Sequence, residues 1–316
     1  MASSGFVAGI DFGGTSVKVG VVDEDGRVRA RDSLDLNPRA SAGQILDNVA
    51  GCLERLLSGS RPAIRIDAVG IGNPGFTDKS TGVLIGGCPN IPTLQGSSVQ
   101  AFMAQRFGVP AFADNDATCA AGGELAFGAG RAYANFALIT LGTAIGGGLV
   151  LDGRIYRGAR GFAAELGHIC LDCNGPWCEC GSRGCFEQYA SATAIVRGYA
   201  ERCRKRGAAA ENLSARDVVQ RACAGDRLAV ECLEEAAGRI AQAFGTLCNI
   251  LNLEACIIGG GLSQAGDVLL EPVRRRLADF TWPVIGQGVK VIAAELRNDA
   301  GILGAAAQVM ERSAHR

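Results

Sequence analysis

Apolar positions recur every second residue in "FVAGIDFGGTSVKVGVVDEDGRV", residues 6–28, and the same order returns in "FALITLGTAIGGGLVLDGRI", residues 136–155. Each stretch predicts a strand, a turn rich in glycine and threonine, a second strand, and an Asp-Gly turn (Asp25-Gly26, Asp152-Gly153) into a third. In the first stretch Val17, Val19 and Val21 mark the buried face of the second strand. Two β-meanders of one design predict an α/β protein with a duplicated fold, two lobes with a cleft between them. Apolar recurrence at three and four residues predicts helices over 41–58, 97–107, 117–127, 191–206, 214–224 and 227–251. Ser214 is an N-cap candidate, and Gly207 and Gly225 stand where helices should stop. A third glycine-ended strand, "ACIIGGGLS", predicts a following helix with Ser263 near its cap. The division expected is a smaller lobe over 1–116, completed by a C-terminal helix at about 300–316, and a larger lobe over 117–299.

Charge narrows the partners. At 316 residues and a formal net charge of −1, nothing global favours nucleic acid or an anionic membrane. The basic run Arg202 to Arg206 reads as a solvated helix end that complements the dipole. The start, "MASSGFVAGIDFGG", has no basic leader and no apolar signal segment, and no apolar run reaches the roughly 20 residues of a membrane helix, so a cytoplasmic protein is expected.

Sulfur is concentrated in one place. Five of the 13 cysteines and one of the two histidines lie within residues 168–185. In a reducing compartment such a cluster points to metal or redox chemistry before disulfides. Cys178, Cys180 and Cys185, spaced across Gly181 and Gly184, with His168 upstream, complete a tetrahedral Cys₃His set with no position left open. That is the structural zinc pattern. Cys170 and Cys173 are spare thiols beside it, and the scattered cysteines read as small buried hydrophobes.

Three glycine-rich turns follow apolar strands, at Gly13-Gly14-Thr15, Gly142-Thr143 and Gly260-Gly261. None fits the P-loop pattern, and the first two lead into strands, which excludes the dinucleotide fingerprint. Their exposed amides can still hold phosphate oxygens, with the Thr15 hydroxyl as a further donor. Asp11 and Lys18 flank the first turn, and an aspartate ending a buried strand needs a partner such as hydrated Mg²⁺. In "FADNDATCAAGGE" a short strand leads to Asp116 at the start of a helix, where a carboxylate can accept the proton of an alcohol during phosphoryl transfer. Asp114 and Asn115 beside it read also as helix N-caps. Glu165, His168 and Glu187 flank the cysteine loop and offer acceptors and donors for sugar hydroxyls, with His168 free to use one ring nitrogen for metal and the other for substrate.

Taken together and in order, "DFGGTSVK", "GNPGF", "DNDA", "LGTAIGGGLVLDGRIYRGARGFAAELGH" and "CECGSRGCFEQYAS" resemble the ROK family (repressors, open reading frames, kinases) from Gly9 to Gly304. The resemblance implies an actin-like, ribonuclease-H-like fold, ATP- and Mg²⁺-dependent phosphorylation of a hexose, and a homodimer. It implies Asp116 as catalytic base, Asn90, Asn115, Glu165, His168 and Glu187 as sugar contacts, and Asp11, Gly13, Gly14, Thr15, Gly142 and Thr143 around the phosphates. Gly260 and Gly261 match a turn near adenosine, and His168, Cys178, Cys180 and Cys185 match zinc ligands. Ala144 departs from the family by adding a Cβ to the second phosphate turn, and "PNIPTLQG" lacks a Gly-Trp often found near the sugar. Retention of C-x-C-G-x-x-G-C favours glucose or an N-acetylhexosamine over fructose, and the resemblance implies first glucose, phosphorylated at its 6-hydroxyl, with fructose and allose behind it. N-acetylglucosamine or N-acetylmannosamine is the alternative. The turns alone do not separate ATP from ADP or polyphosphate. A sugar-sensing repressor of the same fold, or a kinase fold without activity, is the reading from another class. About eight residues precede the first turn, fewer than a DNA-reading module needs, and Asp11, Thr15 and Asp116 are all retained.

Overall fold

The computed structural model describes residues 5–60, 63–207 and 212–314. Two compact units divide the chain: residues 1–131, 155–163 and 298–316 form the first, and 132–154 and 164–297 the second. In chain order the first carries β1 (Phe6–Phe12), β2 (Ser16–Asp23), β3 (Val28–Asp35), α1 (Ala42–Gly59), β4 (Ala68–Asn73), β5 (Phe76–Thr77), β6 (Leu84–Gly86), α2 (Val99–Phe107), β7 (Ala111–Asn115) and α3 (Asp116–Phe127). Next come β8 (Phe136–Leu141), β9 (Ile145–Leu151), β10 (Arg154–Ile155), α4 (Glu187–Ala190), α5 (Ala192–Lys205) and α6 (Ala215–Cys223). After α7 (Arg227–Leu251), β11 (Ala255–Gly259), α8 (Asp267–Leu277), α9 (Pro283–Gly286) and β12 (Lys290–Ala293), helix α10 (Ala300–Ala314) returns to the first unit.

The two main sheets share one design. Their strand orders are β3-β2-β1-β4-β7 and β10-β9-β8-β11-β12. In the first, β1 runs antiparallel to β2 and parallel to β4, which is parallel to β7. In the second, β8 runs antiparallel to β9 and parallel to β11, which is parallel to β12. The alternation read in the sequence is the cause: Val17, Val19 and Val21 are fully buried on β2, facing α1 through Ile45, Val49 and Leu53. The second unit packs Ile139 and Leu141 of β8 against Phe186, Tyr199, Ile240 and Phe244.

Helix boundaries follow their caps. Ser41 and Ser214 each form a capping box, with Gln44 and Asp217. Gly207 and Gly225 take φ of 70° and 87° just past α5 and α6. The helix expected after the third glycine turn begins later than its sequence suggests. Gly261–Ala265 forms a 3₁₀ turn in which the Ser263 hydroxyl donates back to the Gly260 carbonyl at 2.8 Å, and α8 starts only after Gly266. The boundary expected at 116/117 falls inside the first unit, because α3 packs along α10 and on β4.

Helix α10 lies directly on the backbone of the first sheet. A Cβ on Gly9 of β1 would stand 2.2 Å from the Ile302 carbonyl oxygen, one on Gly70 of β4 1.7 Å from that of Ala305, and one on Gly304 1.7 Å from that of Cys119 in α3. Backbone cannot give way as a side chain can, so the contact requires hydrogen at these positions. Gly304→Ala should therefore cost about 1–3 kcal/mol or more and lower the melting temperature by several degrees. An unchanged melting temperature would mean that α10 and α3 do not meet this closely.

Candidate active site

In the first unit the carboxyl ends of β1, β4 and β7 bring the chemistry together. Asp11 pairs with Gly72 of β4 in register, and Gly72 with Asp114 of β7, while Asn73 pairs with Asn115. Asp11 is mostly buried, and Lys18, its antiparallel partner on β2, places its Nζ 3.7 Å from the Asp11 carboxylate and 3.3 Å from the Asn298 carbonyl. Burial pushes the Asp11 carboxyl above its ordinary value, and Lys18 acts in the opposite direction. Gly13 to Thr15 turn the chain between these strands, the Gly13 N–H donating to the Ser16 carbonyl at 2.9 Å and leaving Gly14 and Thr15 exposed. The Asn90 amide lies beside that turn, its Nδ2 3.1 Å from where a Gly14 Cβ would be.

Asp116 is the first residue of α3, and its Oδ1 accepts from the Ala117 N–H at 2.8 Å. Asn115 is the cap: its Oδ1 accepts from Ala117 and Thr118 at 3.0 and 3.1 Å, and its Nδ2 donates to the Gly75 carbonyl at 3.4 Å. With both lone pairs of Oδ1 used, one Nδ2 hydrogen remains for a ligand. Asp114 is not a cap. Its Oδ1 accepts from the Asn115 N–H at 3.0 Å, and its Oδ2 from Arg157 Nε at 2.6 Å.

The second unit holds the other candidates. The turn Gly142-Thr143-Ala144 joins β8 to β9, closed by the Gly142 N–H on the Ala144 carbonyl at 3.0 Å, and leaves Thr143 and Ala144 exposed. The start of α5 grips it. Ala192 N–H donates to the Gly142 carbonyl at 2.8 Å, and the Thr193 hydroxyl to the Thr143 carbonyl at 2.9 Å. Gly260 lies against the end of β8, where a Cβ on it would stand 2.5 Å from the Leu141 carbonyl oxygen, while a Cβ on Gly261 would meet nothing within 4 Å. Arg157 and Thr193 both act over 40 or more residues of sequence, at separations of 43 and 50, so nothing in their local pattern marks them.

The cysteine loop folds as its glycines allow. Gly181 and Gly184 take φ of 89° and 64°, and the loop is stitched by Cys178 N–H to Ser182 carbonyl at 2.9 Å and Gly184 N–H to Pro176 carbonyl at 2.8 Å. His168, Cys178, Cys180 and Cys185 place their donor atoms within 4.8 Å of one another. Cys180 Sγ is 3.5 Å from Cys185 Sγ, and Cys178 Sγ 3.6 Å from His168 Nδ1. Zinc–sulfur and zinc–nitrogen bonds of about 2.3 and 2.0–2.1 Å at tetrahedral angles give edges of about 3.8 and 3.6 Å, so these residues fit a tetrahedral ion with little movement. Burial pushes the Cys178 thiol up to about 12, a thiol that ionises only against a cation. Cys170 faces Cys185 across an antiparallel bridge, and Cys173 is exposed; neither joins the four-donor group.

His168 turns Nδ1 toward the Cys178 thiol. Glu187 opens α4, accepts from the Cys178 thiol at 3.1 Å and lies 3.9 Å from His168 Nδ1. Glu165 precedes the 3₁₀ turn Leu166–His168 and follows Ala164, whose φ of 69° is a left-handed conformation costly for a residue with a Cβ. Burial raises the Glu165 carboxyl, opposed by His168.

The sequence profile of the ROK family matches residues 7–312. The chain belongs to the ROK family. It is 36% identical over 312 residues to the glucokinase of Thermotoga maritima, covering 96% of this chain and 97% of that one. A ROK glucokinase of Streptomyces griseus, solved in complex with glucose and AMPPNP, is 33% identical and superposes with a TM-score of 0.83 over 96% of this chain and 98% of its own. The ROK hexokinase of Thermus thermophilus is 30% identical, with a TM-score of 0.80 over 98% and 99%. The fold is the actin-like α/β fold of this family, which accounts for the repeated sheet order of the two units. Among the described residues no helix is long and apolar enough to cross a membrane.

Two outcomes test this chemistry. Cys180→Ser removes one of four donors and should lower zinc content, measured by atomic absorption, from about one ion per chain to a small fraction; unchanged content would mean the ligand set is wrong. Asp11→Asn removes a charge that burial disfavours. A carboxyl raised in the folded state stabilises below its ordinary range and loses that contribution as pH rises through the raised value. The variant should melt above wild type at pH 8, with the gap closing toward pH 4. A gap independent of pH would show that the ionised carboxylate carries no such penalty.

Proposed function

We propose that this chain is an ATP- and Mg²⁺-dependent glucokinase, transferring the γ-phosphoryl group of ATP to the 6-hydroxyl of glucose. The observation that carries the reading is the likeness, over nearly all of both chains, to a ROK glucokinase solved with glucose and AMPPNP. The local geometry supports it. Asp116 is fixed by the helix start and can accept the hydroxyl proton as the oxygen attacks phosphorus. Sugar hydroxyls fall to Glu165, His168 and Glu187, to the remaining Nδ2 hydrogen of Asn115, and to Asn90. Glu165, whose carboxyl burial raises, offers its carboxyl oxygens to a sugar hydroxyl.

Phosphate oxygens fall to the amides of Gly14, Thr15 and Thr143, in turns that the Gly13 and Gly142 N–H groups close on the Ser16 and Ala144 carbonyls, and adenosine to the turn at Gly260 and Gly261. Asp11, partnered by Lys18, is the carboxylate suited to Mg²⁺, which when bound neutralises charge on the transferring phosphoryl group. His168, Cys178, Cys180 and Cys185 hold a structural zinc whose four protein ligands leave no open position, so its task is to set the shape of the loop that carries His168 and Glu187.

The reading is tested by ADP release with ATP and Mg²⁺ across glucose, N-acetylglucosamine, N-acetylmannosamine, mannose, fructose and allose. Glucose should be preferred, and preference for an acetylated sugar would replace it as substrate. Asp116→Asn should lower kcat by about 10²–10⁴-fold while glucose binding, followed by calorimetry, stays within a few-fold of wild type. A preserved kcat would remove Asp116 as the base.

A further inference from the structure

Three carboxylates, Asp11, Asp114 and Asp116, gather at the carboxyl ends of the first unit's strands, and the reaction described above uses two of them. Asp114 is buried, with 7% of its surface exposed, yet it has no assigned part. Its oxygens are both engaged, one by the Asn115 N–H at 3.0 Å and the other by Arg157 Nε at 2.6 Å. The side chains of this pair are 8% and 20% exposed.

Stability alone is a poor account of such a pair. A buried ion pair roughly balances its attraction against the cost of desolvating two charges, so its net contribution to folding is small. What it does supply is a fixed geometry, because neither partner can move without stranding the other. Here the geometry sits one residue before the helix cap and two before the proposed base. The bonds are continuous: Arg157 to Asp114, Asp114 to the Asn115 N–H, and Asn115 Oδ1 to the first amides of α3, which begins at Asp116.

The origin of Arg157 adds to this. It lies in residues 155–163, a segment that belongs to the first unit although the chain on both sides of it belongs to the second. The segment has a second anchor in the same unit, the Phe162 ring meeting Phe76 at 5.3 Å and 65°, and it closes on itself through Ala163 N–H to the Arg157 carbonyl at 3.3 Å. Glu165 follows two residues later. The buried Cys119 thiol, pushed up first by burial and then by Asp114, Asp11 and Asp116, feels Arg157 with the opposite sign, which marks Arg157 as a compensating cation among these three anions.

We propose that Arg157 is a positioning residue for phosphoryl transfer, clamping Asp114 so that Asn115 and Asp116 are held at the start of α3 in the arrangement proton removal needs. The inference rests on the kinase reading above and adds a residue that acts through Asp114 and not on a reacting atom. Without the guanidinium, Asp114 becomes an unpaired buried anion beside two others, and it relieves that state by taking a proton or by turning outward. Either response loosens the bond to the Asn115 N–H.

The test is steady-state kinetics of Arg157→Ala, Asp114→Asn and the double variant, with wild type and Asp116→Asn assayed alongside. Arg157→Ala should lose about a hundredfold in kcat, with the KM for glucose and for ATP within about threefold of wild type, as a small misplacement of a reacting group predicts. Millimolar guanidinium should restore part of that loss in Arg157→Ala and none in the double variant. The double variant should be about as slow as the worse single one, because both break one clamp. A folded Arg157→Ala with kcat within about threefold of wild type, or single losses that multiply in the double variant, would overturn the role of Arg157 and leave the kinase reading standing. Should Arg157→Ala fail to fold, Arg157→Gln carries the same expectation, and an unchanged kcat there overturns it equally. Absence of sugar phosphorylation by wild type would overturn the kinase reading and this inference with it.

Discussion

Burying negative charge is the constraint on which the first unit is built. Strands β1 and β7 run parallel to β4 on either side of it, so their carboxyl ends deliver Asp11, Asp114 and the residue after β7, Asp116, to one end of one sheet. Each anion then needs an answer. Lys18 reaches Asp11 because β1 and β2 pair those two residues directly, and Arg157 reaches Asp114 because a separate segment docks beside it. Asp116 leans on the amide end of α3, where the helix dipole favours a negative charge. Three carboxylates at one end of one sheet thus meet three kinds of compensation, a lysine, an arginine and a helix N-terminus.

The second unit meets a similar difficulty with softer atoms. His168, Cys178, Cys180 and Cys185 converge in a loop with little apolar content of its own, held by backbone bonds and by Arg183 stacked on Trp177 at 4.0 Å. Three thiols this close cannot all ionise without a cation, and burial pushes the Cys178 thiol up. On the reading proposed above, an ion filling this tetrahedron orders the loop, and with it His168, one of its donors, and Glu187, which accepts from Cys178. The proposed metal donors and the proposed sugar contacts thus share one piece of backbone.

Much of this was legible in the sequence because it is local. The meanders at 6–28 and 136–155 show period-two alternation, the capping box at Ser214 sits within four residues, and the four side chains that converge in the cysteine loop lie within eighteen. What stayed hidden depends on tertiary contact. Asp114 looked like a cap beside Asn115, and only the arrival of Arg157 from 43 residues away gives it another partner. Thr193 gripping the second glycine turn, and the glycines of β1 and β4 under α10, are likewise products of packing. Ser263 failed as a helix cap for a local reason that pattern does not capture: Gly260 takes a φ of 79° and draws the Ser263 hydroxyl back onto its own carbonyl.

The division of labour follows from what each residue has left to give. Asn115 spends its oxygen on two helix amides and half its amide group on Gly75, so it can offer a sugar a single N–H and nothing that accepts. Asp116 stands one residue further on, as the first residue of α3, and its Oδ1 accepts from the Ala117 N–H. On the reading proposed above, neighbours on the chain take opposite roles, one a fixed donor and the other a base, and the difference comes from which of them the helix uses as its cap. A donor beside a base is what a hydroxyl needs in order to be held by its oxygen and relieved of its hydrogen. That pairing would be lost if the cap shifted by one residue, which is why the atoms holding the start of α3 bear on the chemistry as much as those that meet the substrate.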